Sequence, residues 1–247
     1  MTIVDHVAVI GGGVMGSGIG QALLQGGYSV SIRDIEEDIL DDAHERIVSG
    51  NYGLQRAVDG GYLDEAEMEA ALDRLEMTVS LEEAVSGTDL VIEAVPEDLA
   101  LKGQVFQELD DATEDDVPLA SNTSGFSIAA IANAVDDPSR VVGAHFFNPA
   151  QIMDLVEIVK TPQTDEDVTH LIEDIVNDLD KAPIVIDDAP DEYGFVANRA
   201  FGALREEARK IVREGVATEE QVDTALEEGY NLPIGPFSMP GLGEEWD

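Results

Sequence analysis

Residues 7–34, VAVIGGGVMGSGIGQALLQGGYSVSIRD, read as strand, turn, helix and strand. Val7 to Ile10 is a short apolar run, mostly β-branched, that stops at a glycine cluster. From Val14 to Leu24 apolar residues recur at helical spacing, and Gly26 and Gly27 end the pattern. Ser29 to Ile32 is a second strand that closes on Asp34. Strand, crossover helix and strand of this length make a βαβ unit of a parallel sheet. Gly11, Gly13 and Gly16 set G-x-G-x-x-G at its first turn. The first glycine permits a tight turn, the second lets backbone approach a pyrophosphate, and the third lets helix pack on strand. The N–H groups at the helix start, at Val14 and Met15, and the positive end of the helix dipole suit phosphate oxygens. Asp34 lies 21 positions after Gly13, where a carboxylate binds ribose hydroxyls and repels the extra phosphate of NADP. NAD is the expected cofactor, with Arg33 beside Asp34 weakening that preference.

Beyond this unit, residues 36–75 carry helical periodicity broken near Ser49–Gly53 and Gly60–Gly61, which predicts a helical excursion of about two antiparallel helices. Strands are expected at Leu90–Ala94, Val141–Ala144, Leu155–Val159 and Pro183–Ile186, with helices at Leu101–Leu109, Ile128–Ala134 and Val168–Leu179, while Pro118–Ala120 leads into SNTS. Alternation of this kind gives an α/β fold, a Rossmann-type doubly wound, mostly parallel sheet. A domain over 1–187 is followed by linker-like DDAPDEYG (187–194). Only helical pattern follows, at Phe195–Val212 and Glu219–Leu226, so 188–247 is expected to be a small all-helical domain.

Charge excludes whole classes of function. Fifty-three acidic residues face 13 basic ones, for a formal net charge of −40, yet 44% of residues are hydrophobic, which is ample for a core. Disordered chains combine high charge with few apolar residues, so the acids are read as one solvated surface. Nucleic acid and anionic membranes need basic patches, so neither is an expected partner. Arginine outnumbers lysine nine to four. A carboxylate-rich, lysine-poor surface fits a cytoplasm of molar salt, where the Debye length is about 3 Å and self-repulsion fades. No cysteine is present, so thiol catalysis and disulfides are excluded. MTIVDHVAVIGGG lacks the features of a signal peptide, and a soluble cytoplasmic protein is expected.

Four further segments, EAVPEDLALK (93–102), SNTSGFSI (121–128), GAHFFNP (143–149) with DLVEIV (154–159), and GFVANR (194–199), stand in an order and spacing that resembles the 3-hydroxyacyl-CoA dehydrogenase family. The opening IGGGVMGSGIGQ and the later NLPIGPF (231–237) match as well, so the resemblance covers nearly the whole chain. It implies that His145 is the catalytic base and Glu157 its partner. It also implies that Ser124 and Asn198 position substrate near the nicotinamide, and that Glu97, Lys102 and Asn122 contact the cofactor. No metal is implied. The chemistry is coherent: oxidation of a secondary alcohol removes a hydroxyl proton as hydride leaves, and imidazole titrates near working pH. A carboxylate on its other nitrogen fixes the tautomer. Glu157 would otherwise be an unpartnered acid in an apolar strand, which is costly. His6, His44 and His170 lie in no motif and are read as structural or surface residues.

The chain departs from the family in three places. The family's helical domain normally continues well past GPF, whereas this chain stops at SMPGLGEEWD, so an incomplete helical domain is expected and a homodimer built on it is in doubt. The family's lysine-rich stretch that holds CoA is replaced by QRAVDGGYL (55–63), leaving Arg56 as the candidate cation for substrate. An insertion-like DEY precedes Gly194. The resemblance implies NAD-dependent oxidation of an L-3-hydroxyacyl-CoA. The alternatives are oxidation of a free sugar acid at its 3-hydroxyl, as in gulonate dehydrogenases, and a non-catalytic NAD-binding subunit.

Overall fold

The computed structural model describes residues 4–189 and 191–239 and divides into two compact units, Met1–Tyr193 and Gly194–Asp247. Residues 240–247, on which the expectation of an incomplete helical domain rests, lie outside the described residues. So do residues 1–3 of the opening segment and Pro190 of the linker.

In the first unit the chain runs β1 (His6–Ile10), α1 (Val14–Gln25), β2 (Ser29–Arg33), α2 (Glu37–Ser49), α3 (Leu54–Asp59), α4 (Glu65–Leu72) and β3 (Leu75–Thr78). It continues through α5 (Leu81–Ala84), β4 (Leu90–Glu93), α6 (Leu99–Ala112), β5 (Leu119–Ser121) and α7 (Ile128–Ala132) to β6 (Val141–Phe146) and β7 (Leu155–Lys160). A last helix, α8 (Glu166–Asp178), leads to β8 (Ala182–Asp187). The eight strands form one sheet in the order β3-β2-β1-β4-β5-β6-β7-β8, parallel throughout except for the β6–β7 pair. This is the doubly wound, mostly parallel sheet expected from the sequence.

The inner strands are apolar on both faces because helices cover both. Val7 to Ile10, Leu90, Val91, Val141 and Val142 have no exposed surface. The chain winds outward from β1 through β2 to β3, then returns to place β4 on the other side of β1. That reversal opens a crevice at the carboxyl ends of β1 and β4, the place where ligands bind in such sheets.

Two expectations are corrected. The excursion holds three helices, since the break at Ser49–Gly53 is followed by the short α3 and the Gly60–Gly61 break by α4, whose Asp64 and Glu67 form a capping box. After it the sheet gains β3, a strand the sequence reading lacked. Leu75–Thr78 is a four-residue edge strand with no fully buried residue, so it carries neither a long apolar run nor a strict alternation.

The second unit contains α9 (Val196–Arg213) and α10 (Glu219–Tyr230) among its described residues. Thr218 and Gln221 make a capping box at the start of α10. The NLPIGPF segment folds back on this helix: Asp223 accepts from the backbone N–H of Phe237 and Ser238, both at 2.9 Å, and from Ser238 Oγ at 2.7 Å.

Candidate active site

The glycine loop is shaped by contacts that a side chain would destroy. Gly11 has φ +111°, and a Cβ there would lie 2.6 Å from the Ala94 carbonyl oxygen, at the mouth of the crevice between β1 and β4. A Cβ on Gly16 would run into the carbonyl oxygen of Gly11. Nothing lies within 4 Å of the corresponding position at Gly13, so the loop's outer side is open to a ligand. No side chain caps the amino end of α1, and its first turn, from Val14 through Met15, holds no acid. The donors and dipole that a pyrophosphate needs are therefore unopposed. This cradle fits NAD.

Gly16→Ala tests the cradle. The added methyl meets backbone, so strain of about 1–3 kcal/mol is expected, and NADH affinity should drop by at least about tenfold in a fluorescence titration. Unchanged affinity would show that the loop is not the phosphate site.

At the end of β2, Asp34 Oδ2 accepts from Gly12 N at 2.7 Å and Oδ1 accepts from Ile35 N at 2.7 Å. The carboxylate is thereby fixed beside the loop. Arg33 is drawn the other way, its Nε donating to the Val79 carbonyl at 3.3 Å, at the end of β3. Arg46, which the sequence did not single out, donates to the Gly12 carbonyl at 3.3 Å and brings a cation to the loop.

A second cluster sits at the ends of β4 and β5. Glu93, with no exposed surface, accepts from Lys102 Nζ and Val95 N, both at 2.7 Å, and from Ser121 Oγ at 2.6 Å. Burial outweighs these partners and raises its pKa above the ordinary carboxylate range. Lys102, 1% exposed, spends its remaining donors on Glu97 Oε2 at 3.3 Å and the Val95 carbonyl at 3.2 Å. Glu97 is only partly covered. Its Oε1 accepts from Thr123 Oγ1 at 2.6 Å, Ser124 N at 3.0 Å and Ser124 Oγ at 3.2 Å. Partial burial pushes its pKa up, but the Thr123 hydroxyl, the Lys102 charge and the Ser124 amide together hold it below the usual range. Glu97 is thus an ionised carboxylate at the crevice, and Lys102 reaches the site through it.

Asn122 ties this cluster to the next. Its backbone N–H bonds to the Glu93 carbonyl and its Oδ1 accepts from Phe146 N, both at 2.8 Å. One residue before Phe146 stands His145, directly opposite Glu157 in the antiparallel β6–β7 register. His145 Nδ1 lies 2.8 Å from Glu157 Oε2. His145 is 5% exposed and Glu157 fully buried. Register, not chance contact, makes this pair, because residues directly opposite on an antiparallel ladder share a face.

The first unit therefore brings together Gly11, Gly13, Gly16, Asp34, Glu97, Lys102, Asn122, Ser124, His145 and Glu157 along the carboxyl edge of the sheet. Arg56 is exposed on α3. Asn198 lies half-buried in the first turn of α9 in the second unit. Glu93 and Tyr193 were missed by the sequence reading. Glu93 carries the signal that singled out Glu157, an acid in an apolar strand. A cleft of about 1090 Å³ lies elsewhere. It lies at the opposite ends of the strands, lined by residues such as Asp89, Glu114, Arg140 and Asp174, and belongs to the acidic surface.

Residues 6–189 match the family described as 3-hydroxyacyl-CoA dehydrogenase, NAD binding domain, and residues 194–242 match 3-hydroxyacyl-CoA dehydrogenase, C-terminal domain. The chain belongs to the 3-hydroxyacyl-CoA dehydrogenase family. Within that family it is 38% identical over 240 residues to the 3-hydroxybutyryl-CoA dehydrogenase of Mycobacterium tuberculosis, covering 97% of this chain and 82% of that one. It is 36% identical over 242 residues to the mitochondrial hydroxyacyl-coenzyme A dehydrogenase of Rattus norvegicus, covering 96% of this chain and 75% of that one. The crystal structure of (S)-3-hydroxybutyryl-CoA dehydrogenase from Ralstonia eutropha superposes with a TM-score of 0.90 at 34% identity, covering 95% of this chain and 80% of that one. This dehydrogenase family places an NAD-binding domain over the same residues that form the glycine cradle and the His145–Glu157 pair. Among the described residues no helix is long and apolar enough to cross a membrane, and no cluster of His, Cys, Asp and Glu is suited to a metal ion.

Proposed function

We propose that this chain catalyses the reversible, NAD-dependent oxidation of an L-3-hydroxyacyl-CoA to the 3-oxoacyl-CoA, in fatty-acid or hydroxybutyrate metabolism. The observation that carries this reading is the buried His145–Glu157 pair on the same sheet edge as the glycine cradle. Nδ1 faces Glu157, so Nε2 is the nitrogen that takes the proton of the substrate hydroxyl as the C3 hydrogen departs with its electron pair. Glu157 holds the tautomer and stabilises the imidazolium that forms. NAD, when bound, accepts the hydride. Ser124 and Asn198 hold the reacting oxygen and stabilise the charge that develops on it, an effect worth roughly 3 kcal/mol per donor at comparable sites. Asp34 takes the adenosine ribose hydroxyls and so selects NAD over NADP. Glu97, steadied by Lys102, accepts from a cofactor hydroxyl, and the amide of Asn122 donates beside it. Arg56 is the cation offered to the CoA phosphates. The protein works in the cytoplasm of a salt-loving organism.

Substrate competition separates this reading from its neighbour. Acetoacetyl-CoA should support oxidation of NADH, while L-gulonate with NAD should give no turnover. The reverse result moves the assignment to a sugar acid, and tight NADH binding without either activity makes the chain a non-catalytic subunit.

A further inference from the structure

Tyr193 comes from the DEY stretch that precedes Gly194, yet its phenol sits in the Ser124–Glu97 cluster. The phenol oxygen lies 3.0 Å from Ser124 Oγ and 3.2 Å from Glu97 Oε1. Its ring meets Phe126 edge-on, with centroids 5.5 Å apart, which fixes the ring's direction. Ser124 Oγ is itself 3.2 Å from the same Glu97 oxygen. The serine and phenol hydroxyls therefore have two hydrogens to place and compete for one carboxylate oxygen.

That oxygen is already occupied by the Thr123 hydroxyl and the Ser124 amide, which leaves room for little more. Burial raises the Tyr193 pKa against the lowering by Ser124, and the nearby Glu97 charge adds to the rise. The phenol therefore stays protonated and serves as a donor. With Tyr193 donating to Glu97, the serine hydrogen rests on the phenol oxygen. A bond to a neutral oxygen is roughly half as strong as one to a carboxylate, so the serine hydroxyl turns away from it more easily.

We propose that Tyr193 is a positioning residue for the dehydrogenase reaction: it takes the Glu97 acceptor that Ser124 would otherwise use, and keeps the serine hydrogen available to the 3-oxygen of the substrate. This rests on the function proposed above. Without the phenol, Ser124 donates to Glu97 and must break a charge-assisted bond before it can serve the substrate.

Tyr193→Phe removes the oxygen and keeps the ring against Phe126. With acetoacetyl-CoA, kcat/KM should fall about tenfold, while NADH affinity and Tm stay at wild-type values. In a Ser124→Ala background the same change should cost nothing further, because the hydrogen it serves is gone. A merely structural phenol would instead lower Tm and add its loss in both backgrounds. Unchanged kcat/KM in Tyr193→Phe, or a full second loss on top of Ser124→Ala, overturns the proposal. A folded wild-type protein inactive on acetoacetyl-CoA sinks the proposed function and this inference together, whereas an active wild type with an unaffected variant sinks this inference alone.

Discussion

His145→Gln should lower acetoacetyl-CoA-dependent turnover by roughly 10²–10⁴-fold, the range seen when a general base is removed, with NADH affinity unchanged. Glutamine is the sharper choice than alanine. Glu157 has no exposed surface, and an alanine at 145 would take away its Nδ1 partner, leaving a buried carboxylate short of a donor. A glutamine amide can still donate to Glu157 but takes no proton at neutral pH. Loss of activity with retained Tm would therefore report chemistry and not unfolding. Steady-state kinetics and an NADH titration on the same preparation make the comparison. Turnover within about threefold of wild type would remove His145 from the base role, since no general-base contribution is that small.

The second large effect is on stability. The protein should hold its fold in molar KCl and lose it in dilute buffer. Acidic residues exceed basic ones by 40, so even complete one-to-one pairing would leave most carboxylates without a cation. The Debye length is about 3 Å in molar salt and 30 Å at 0.01 M, so on dilution each unpaired carboxylate comes to feel its neighbours across the surface. An opposing effect exists, because salt also weakens attractive pairs. Among the described residues those pairs are few, and half of them are exposed, such as Arg46–Asp42 at 3.7 Å and Lys160–Asp187 at 3.9 Å. Exposed pairs contribute about 0–1 kcal/mol each, so repulsion wins. Lys102–Glu93 is sealed in the fold and is screened far less. Circular dichroism melts across a KCl series would show Tm rising steeply with salt. A Tm that is flat or higher in dilute buffer would contradict the halophilic reading.

The sequence disclosed what depends on local chemistry. Gly11, Gly13 and Gly16 could be placed because a turn, a phosphate approach and a helix–strand contact each demand glycine at a fixed spacing. Glu157 could be singled out because a lone acid in an apolar strand requires a partner; the family resemblance implied His145, and the β6–β7 register is what sets the two opposite each other. Glu93 gave the same kind of signal and was passed over, because its partners Lys102 and Ser121 lie on elements 9 and 28 residues away. β3 escaped because an edge strand of four partly exposed residues has no distinctive pattern. Tyr193 was the least legible. DEY has linker composition, and only the fold brings its phenol to Ser124, 69 residues earlier in the chain.

Whether the His145–Glu157 pair drives the dehydrogenase reaction is decided by reduction of acetoacetyl-CoA by NADH in molar KCl, followed by the loss of NADH absorbance in wild type and in His145→Gln. Steady turnover is expected in the wild type and its near-complete loss in the variant, with both proteins folded and binding NADH. A folded wild-type protein that binds NADH tightly and leaves acetoacetyl-CoA untouched would contradict it.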